Sequence, residues 1–338
     1  MLNQLIKIKL LLKAIFISVL LLEIFFQICF AFNIGIAKQK ILFFNPYCDE
    51  SYWLNQDTLN FDNYDYHPLL SIVNKETKVP INFSKNVKKS IVETGHEKII
   101  YGSSFTGHDL FKKEINSLYK TVNYAVPSYG LDQIYLSYQL TKNEHYGKTV
   151  LVGFLLEDID RSIFEKRDYE KIKFSIKDSS IKILNTPINH NKKRESYDFY
   201  VYSIFKNIIS LVENNFQPKN STCFMKEKSD LFKYFVEKII GDAKSLDQKI
   251  IFITFNFADD FDKSNYNWRE NLVNDYFKSK GVLHINAKDV VSNKINNTNN
   301  NLYNYFSVDD LHLNAKGFKL IATDLQSYIS EGQGYLNE

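Results

Sequence analysis

Apolar residues along this chain follow two periods. Short apolar runs at 98–101, 121–126 and 149–155 alternate with stretches in which apolar residues recur every three or four positions. The alternation resumes after residue 229, with further strands expected at 250–255 and 282–285. The intervening periodicity predicts helices at about 107–119, 131–142, 229–245, 268–280 and 314–330. The helix over 229–245 takes Ser229 as its cap and lines up Leu231, Phe232, Phe235, Val236, Ile239 and Ile240 on one face. Alternating strands and helices predict a parallel sheet covered on both sides, a three-layer α/β/α fold with five central strands. Between the third and fourth strands an insertion over about 160–215 reads as a β-hairpin (171–176 and 181–184), a polar loop at 186–196 and an amphipathic helix near 199–212. The Asn-rich stretch 296–304 reads as a loop.

Ahead of this pattern, residues 14–37 form an apolar run interrupted by Glu23, Gln27 and a few small polar residues. A helix of that length crosses a bilayer of about 30 Å. Lys7, Lys9 and Lys13 before it predict a cytoplasmic N-terminus and an extracytoplasmic remainder. The rival is a cleaved signal peptide with Cys29-Phe30-Ala31 as a poor cleavage site. The expected organisation is a cytoplasmic tip and transmembrane anchor at 1–37, an aromatic-rich stalk at 38–95 that packs on the core, and a catalytic domain at 96–335. His67, before Pro68, reads as structural. Cys48 and Cys223 would both lie outside the cytoplasm, where pairing is permitted; sequence does not show that they are close.

Charge narrows the partners. Lys7, Lys9, Lys13 and Glu23 leave the first 37 residues at +2, so the remainder is near +1 of the formal +3. That balance gives no reason to expect nucleic acid. The clusters at 85–89 and 191–194 read as solvated loops. The seven histidines include no His-Glu-x-x-His or His-x-His pattern, and no Cys-x-x-Cys occurs. No metal or cofactor is expected, and Asp158 with Asp160 reads as ordinary aspartates rather than a carboxylate site.

Two segments carry candidate chemistry. Gly102-Ser103-Ser104-Phe105-Thr106 follows the first strand and opens a helical pattern. A serine there faces the crevice at the carboxyl edge of an open sheet, beside free backbone N–H groups. A polar helix-capping turn fits the same residues. Near the C-terminus Asp309 precedes His312 by three residues, a spacing at which a carboxylate can reach imidazole Nδ1 and leave Nε2 to take a proton from a serine.

Together these segments resemble the blocks of the SGNH (GDSL-like) hydrolase family. Gly102-Ser103-Ser104-Phe105-Thr106 is similar to Gly-Asp-Ser-hydrophobic-Thr, with Ser103 in place of Asp. Asp309, His312, Leu313, Asn314 and Gly317 match the last block in full. The second block is similar to residues 123–133, with Ser128 at the oxyanion glycine, and the third to 154–158, with Glu157 at the oxyanion asparagine. The resemblance covers residues 95–330 and implies a serine esterase or O-acyltransferase. Ser104 would be the nucleophile, His312 the base and Asp309 its orienter, with an oxyanion hole at Ser104, Ser128 and Glu157. The implied substrates are acyl esters, including O-acyl groups on envelope or secreted polysaccharide. An SGNH-like domain without catalysis, binding glycan or serving assembly, is the alternative raised by Glu157 and Ser103.

Overall fold

The computed structural model describes residues 2–53, 62–83, 97–177, 180–184, 186–188, 199–214, 216–261, 267–298, 301–309 and 311–330. The clusters at 85–89 and 191–194 lie outside these residues. The chain divides into two compact units, one of residues 1–56 with 191–223 and one of 57–190 with 224–338.

In the first unit, the apolar run forms the helix Leu2–Ala31. Its stretch Gln4–Ala31 is long and apolar enough to cross a membrane; 28 residues rise about 42 Å. Asn33, at φ 49°, ends it in a left-handed turn, with Ile34 N–H donating to Cys29 O. The amphipathic helix of the insertion appears at Tyr200–Glu213 and packs on the N-terminal one. Glu23 has a defined task here. Its carboxylate accepts from the backbone N–H groups of Tyr200 (3.1 Å) and Val201 (2.9 Å), satisfying donors that a helix start leaves free. Phe30 stacks on Tyr200 at 4.0 Å, and Phe43 meets both rings edge-on. A Cys48–Cys223 disulfide closes the unit, with Cα atoms 6.0 Å apart.

The second unit holds a five-stranded parallel sheet made of β1 (Glu97–Gly102), β2 (Lys120–Asn123), β3 (Thr149–Leu155), β4 (Lys249–Phe255) and β5 (His284–Asn286). The spatial order is β5-β4-β3-β1-β2. Its longer helices among the described residues are α1 (Asp109–Asn116), α2 (Leu131–Thr141), α3 (Met225–Ser245), α4 (Trp268–Lys280), α5 (Ala287–Thr298) and α6 (Ala315–Ser330). Alternation along the strands divides the core. Ile100, Leu151, Ile253 and Ile285 join Phe111, Ile115, Val291, Phe318 and Ile321 of α1, α5 and α6 in one buried cluster. Tyr101, Phe154 and Phe252 meet Tyr138, Phe232 and Phe277 of α2, α3 and α4. The α/β class and the five parallel strands are as the hydrophobic pattern predicts.

Some boundaries differ, each for a local reason. The helix expected at 107–119 is broken at His108, whose backbone is extended and whose Nδ1 accepts from Leu110 N–H to cap α1. The strand expected to reach Val126 ends at Asn123, because the Asn123 side chain takes Ala125 N–H; Tyr124 and Val126 still donate to β1. Helix α3 starts before Ser229, with Phe224 at the cap in a left-handed conformation. Helix α5 was not anticipated, since its last turn runs into the Asn-rich stretch. In the expected stalk, Tyr64–His67 and Ser71–Asn74 form a hairpin whose Leu70 and Ile72 carbonyls accept from Gln133 and Tyr129. His67 is structural: Nδ1 accepts from Leu69 and Leu70 N–H, and Nε2 bonds Pro80 O.

Candidate active site

The chain places β1 inside the sheet, then β2 beside it at the edge, then crosses back to β3 on the other side of β1. The carboxyl ends of β1 and β3 therefore flank the crevice at the reversal of strand order, where open sheets take ligands.

Ser104 is held there by an interlock of small residues. Gly102 of β1 pairs with Gly153 of β3, and Thr106 lies over both. A Cβ on Gly102 would fall 2.0 Å from Thr106 Oγ1, and one on Gly153 would fall 2.2 Å from Thr106 Cγ2. Only hydrogen at both positions lets the turn Ser104–Gly107 sit this close to the strands. Thr106 Oγ1 donates to Ser103 O at 3.3 Å, and Asn123 Nδ2 donates to Thr106 O at 2.9 Å. Ser103 is fully buried beside the Asp158 carboxylate, while Ser104 keeps partial access to solvent.

The last block reaches this turn from the other end of the chain. Ser307 N–H donates to His312 O (2.8 Å), and Asn314 N–H to Tyr305 O (2.9 Å), so 305–314 is a tight reversal. Leu311 adopts a left-handed φ of 60° just before the histidine. Asn314 fastens both sides: Nδ2 donates to the Asn304 and Phe306 carbonyls, and Oδ1 accepts from Lys316 and Gly317 N–H at the start of α6. Gly317 is required by a close approach, since a Cβ would lie 2.5 Å from Tyr305 O. The His312 ring rests against Phe105 at 4.5 Å and Phe257 at 5.8 Å, with His108 at 5.6 Å. Its Nε2 lies 3.1 Å from Ser104 Oγ. With the proton on Nδ1, Nε2 accepts from the serine hydroxyl, the arrangement that general-base activation needs.

The other expected site residues stand as follows. Asp309 is exposed, its N–H donates to Ser307 Oγ at 3.3 Å, and no hydrogen bond joins it to His312 among the described residues; Asp310 lies outside them. Ser128, in the loop after β2, is half-buried with φ 65°. Glu157, half-buried, lies two residues beyond the end of β3, and its carbonyl accepts from Asp160 and Arg161 N–H. Arg161, four residues after Glu157, pairs with Asp158 at 2.9 Å and donates to Tyr129 O. The charge of Glu157 acts on Arg167, whose guanidinium burial and the charge of Arg161 push down to about 10 against the support of Asp168, Glu157 and Asp158.

Asp158 and Asp160 fix the turn after β3. Asp158 Oδ2 accepts from Leu155 N–H at 2.8 Å. Asp160 pairs with Lys228 of α3 at 2.7 Å and with Arg269 of α4 at 2.5 and 2.9 Å, all three nearly inaccessible to solvent. These aspartates are ion-pair anchors. Among the described residues no three His, Cys, Asp or Glu side chains gather as a metal site. Sequence reasoning missed Gly153, Phe257 and His108. Gly153 left a trace, a glycine inside an otherwise apolar strand, which signals close backbone approach.

No family model matches the chain, and no curated protein sequence matches it. Solved structures similar to it include an acetyl xylan esterase, 14% identical with TM-score 0.37, over 69% of this chain and 99% of that one. A lipase/acylhydrolase from Enterococcus faecalis is 10% identical with TM-score 0.36, over 72% and 99%. A GDSL-like lipase from Bacteroides thetaiotaomicron is 13% identical with TM-score 0.33, over 70% and 89%. The five-stranded parallel sheet agrees with the fold that the resemblance of its sequence blocks implies.

Proposed function

We propose that this chain is an exported, membrane-anchored serine ester hydrolase or O-acyltransferase of the SGNH type. The observation that carries the reading is the 3.1 Å approach of His312 Nε2 to Ser104 Oγ across 208 positions of sequence, at the switch point of the sheet. His312 takes the hydroxyl proton as Ser104 Oγ adds to the acyl carbonyl. The backbone N–H groups of Ser104 and Ser128 hold the resulting oxyanion. His312 then gives its proton to the departing alkoxide, leaving an acyl-serine. Water or an acceptor hydroxyl, deprotonated by the same imidazole, resolves it by hydrolysis or transfer. The expected orienter, Asp309, is exposed and not hydrogen-bonded to His312 here, so the reading rests on the Ser104–His312 pair. The substrate class is an acyl ester, including O-acyl groups on envelope or secreted polysaccharide, as the family resemblance suggests.

The anchor is the stretch Gln4–Ala31, and the Cys48–Cys223 disulfide supports export, because such bonds persist in oxidising compartments. Reporter fusions after residue 40 should be active only with an exported reporter; a cytoplasmic signal would overturn that topology. The chemistry is tested by a fluorophosphonate, which labels an activated serine covalently. Labelling of the purified protein that disappears in Ser104→Ala supports the reading. One observation favours a second: an acidic Glu157 where the family places an amide donor. A chain inert to the probe and to acyl esters would be a glycan-binding or assembly component instead.

A further inference from the structure

The helix Tyr200–Glu213 has two faces. Tyr200, Ile204 and Asn207 turn toward the N-terminal helix and its following segment; Asn207 Nδ2 donates to Ile41 O at 2.6 Å. On the opposite side Tyr202, Phe205, Ile208, Ile209 and Val212 are all exposed, at 47–64%. Their spacing, at i, i+3, i+6, i+7 and i+10, puts them on one stripe about 120° wide. A large apolar stripe left open to water is unfavourable, so it marks a surface that something covers.

Position identifies the occupant. The first N–H groups of this helix are held by the Glu23 carboxylate, and Glu23 lies eight residues before Ala31, the end of the apolar span. At 1.5 Å per residue the helix start sits about 12 Å along the span from its end. The neighbouring span residues Leu20, Leu21, Ile24 and Ile28 are exposed in the same unit. A span that lies in a bilayer therefore carries the beginning of Tyr200–Glu213 below the membrane surface with it. Farther along, Asn207 reaches Ile41 and Lys206 pairs with Asp49 at 3.0 Å, both beyond the apolar span. The helix thus runs from a level inside the span toward residues outside it.

We propose that Tyr200–Glu213 is a second membrane-seated helix, with the stripe from Tyr202 to Val212 in contact with lipid acyl chains. It rests on the anchor reading of Gln4–Ala31. Glu23 is then neither a fault in the span nor an unpaired charge in lipid. It joins the two helices where hydrocarbon would leave the helix-start N–H groups without partners.

The test uses the full chain in phosphatidylcholine vesicles with brominated acyl chains, which quench tryptophan on contact. Trp53 and Trp268 set the background, read from the unsubstituted protein. The proteins carrying Leu20→Trp, Phe205→Trp or Ile209→Trp are compared, each at an exposed apolar position, with the Cys48–Cys223 bond verified by mass. Loss of the added fluorescence in all three supports the proposal. Loss in Leu20→Trp alone overturns it and leaves the anchor standing, and the stripe is then covered by a second copy or another protein. No loss in any of the three removes both the anchor and the second helix.

Discussion

Thr106 Cγ2 sits where the Cβ of any residue other than glycine at position 153 would have to be, 2.2 Å away. The contact links the middle of β3 to the turn that presents Ser104. Gly153→Ala is therefore expected to cost about 1–3 kcal/mol through overpacking, and to lower turnover by shifting that turn. Thr106→Ser removes the methyl that collides. The double variant should recover part of both losses, a coupling that unfolding midpoints and kcat measure together.

If Ser104 and His312 act as one unit, Ser104→Ala and His312→Ala should each abolish ester turnover, and combining them should cost little more than either. Ser103→Ala should be far milder, because Ser103 is buried against Asp158 and is remote in role from the acyl group. Asp309→Asn should cost less than either of the first two, since it leaves the serine–imidazole contact in place. Full activity in Ser104→Ala would remove the nucleophile assignment.

His284 offers a pH test outside the site. It is half-buried on β5, and Thr254 Oγ1 lies 2.7 Å from its Nε2. Burial pulls its pKa down to about 4 from the ordinary 6.5. The unfolded chain therefore binds a proton here more readily than the folded one. The stability this contributes is full above about pH 6.5 and is lost as pH falls toward 4, with an upper bound of about 3 kcal/mol. Denaturant unfolding of the wild type and of His284→Gln at pH 7 and pH 4.5 should show a shallower decline in the variant.

How far the sequence discloses this molecule depends on whether a feature has a period. Strands such as β3 and β4 and helices such as α6 are buried on one face or two, so their apolar residues recur at the matching interval. The break at His108 is decided by one side chain capping α1, which leaves no periodic mark. Ser104 and His312 were nameable because each sits in a short block with its own supporting residues: Gly102 and Thr106 for one, Asn314 and Gly317 for the other. The residues around them were not. Phe257 meets the His312 ring only because β4 ends beside β3, a consequence of sheet order. Glu23 looked like an interruption of an apolar run, because its partners are backbone donors 177 and 178 positions away.

Glu157 decides how fast the proposed reaction can be. In the family pattern an asparagine at this point donates a side-chain N–H to the oxyanion, and losing one such donor typically costs about 10²–10³ in rate. An ionised glutamate has only acceptors, so aimed at the oxyanion it would repel the developing charge. Arg161, four residues on, is committed to Asp158. Arg167 pairs with Asp168 at 3.0 Å and also feels the Glu157 charge, a cation that favours a carboxylate turned away from the serine. The backbone N–H groups of Ser104 and Ser128 then carry the oxyanion alone, and the reaction is slower than with three donors. Glu157→Asn should leave kcat for a simple acyl ester unchanged or raise it. Loss of the Glu157 charge should also leave Arg167 less compensated, with a modest drop in stability readable by denaturant unfolding. A large fall in kcat on the same substitution would show instead that the carboxylate takes part in the reaction, for example by binding the acceptor hydroxyl.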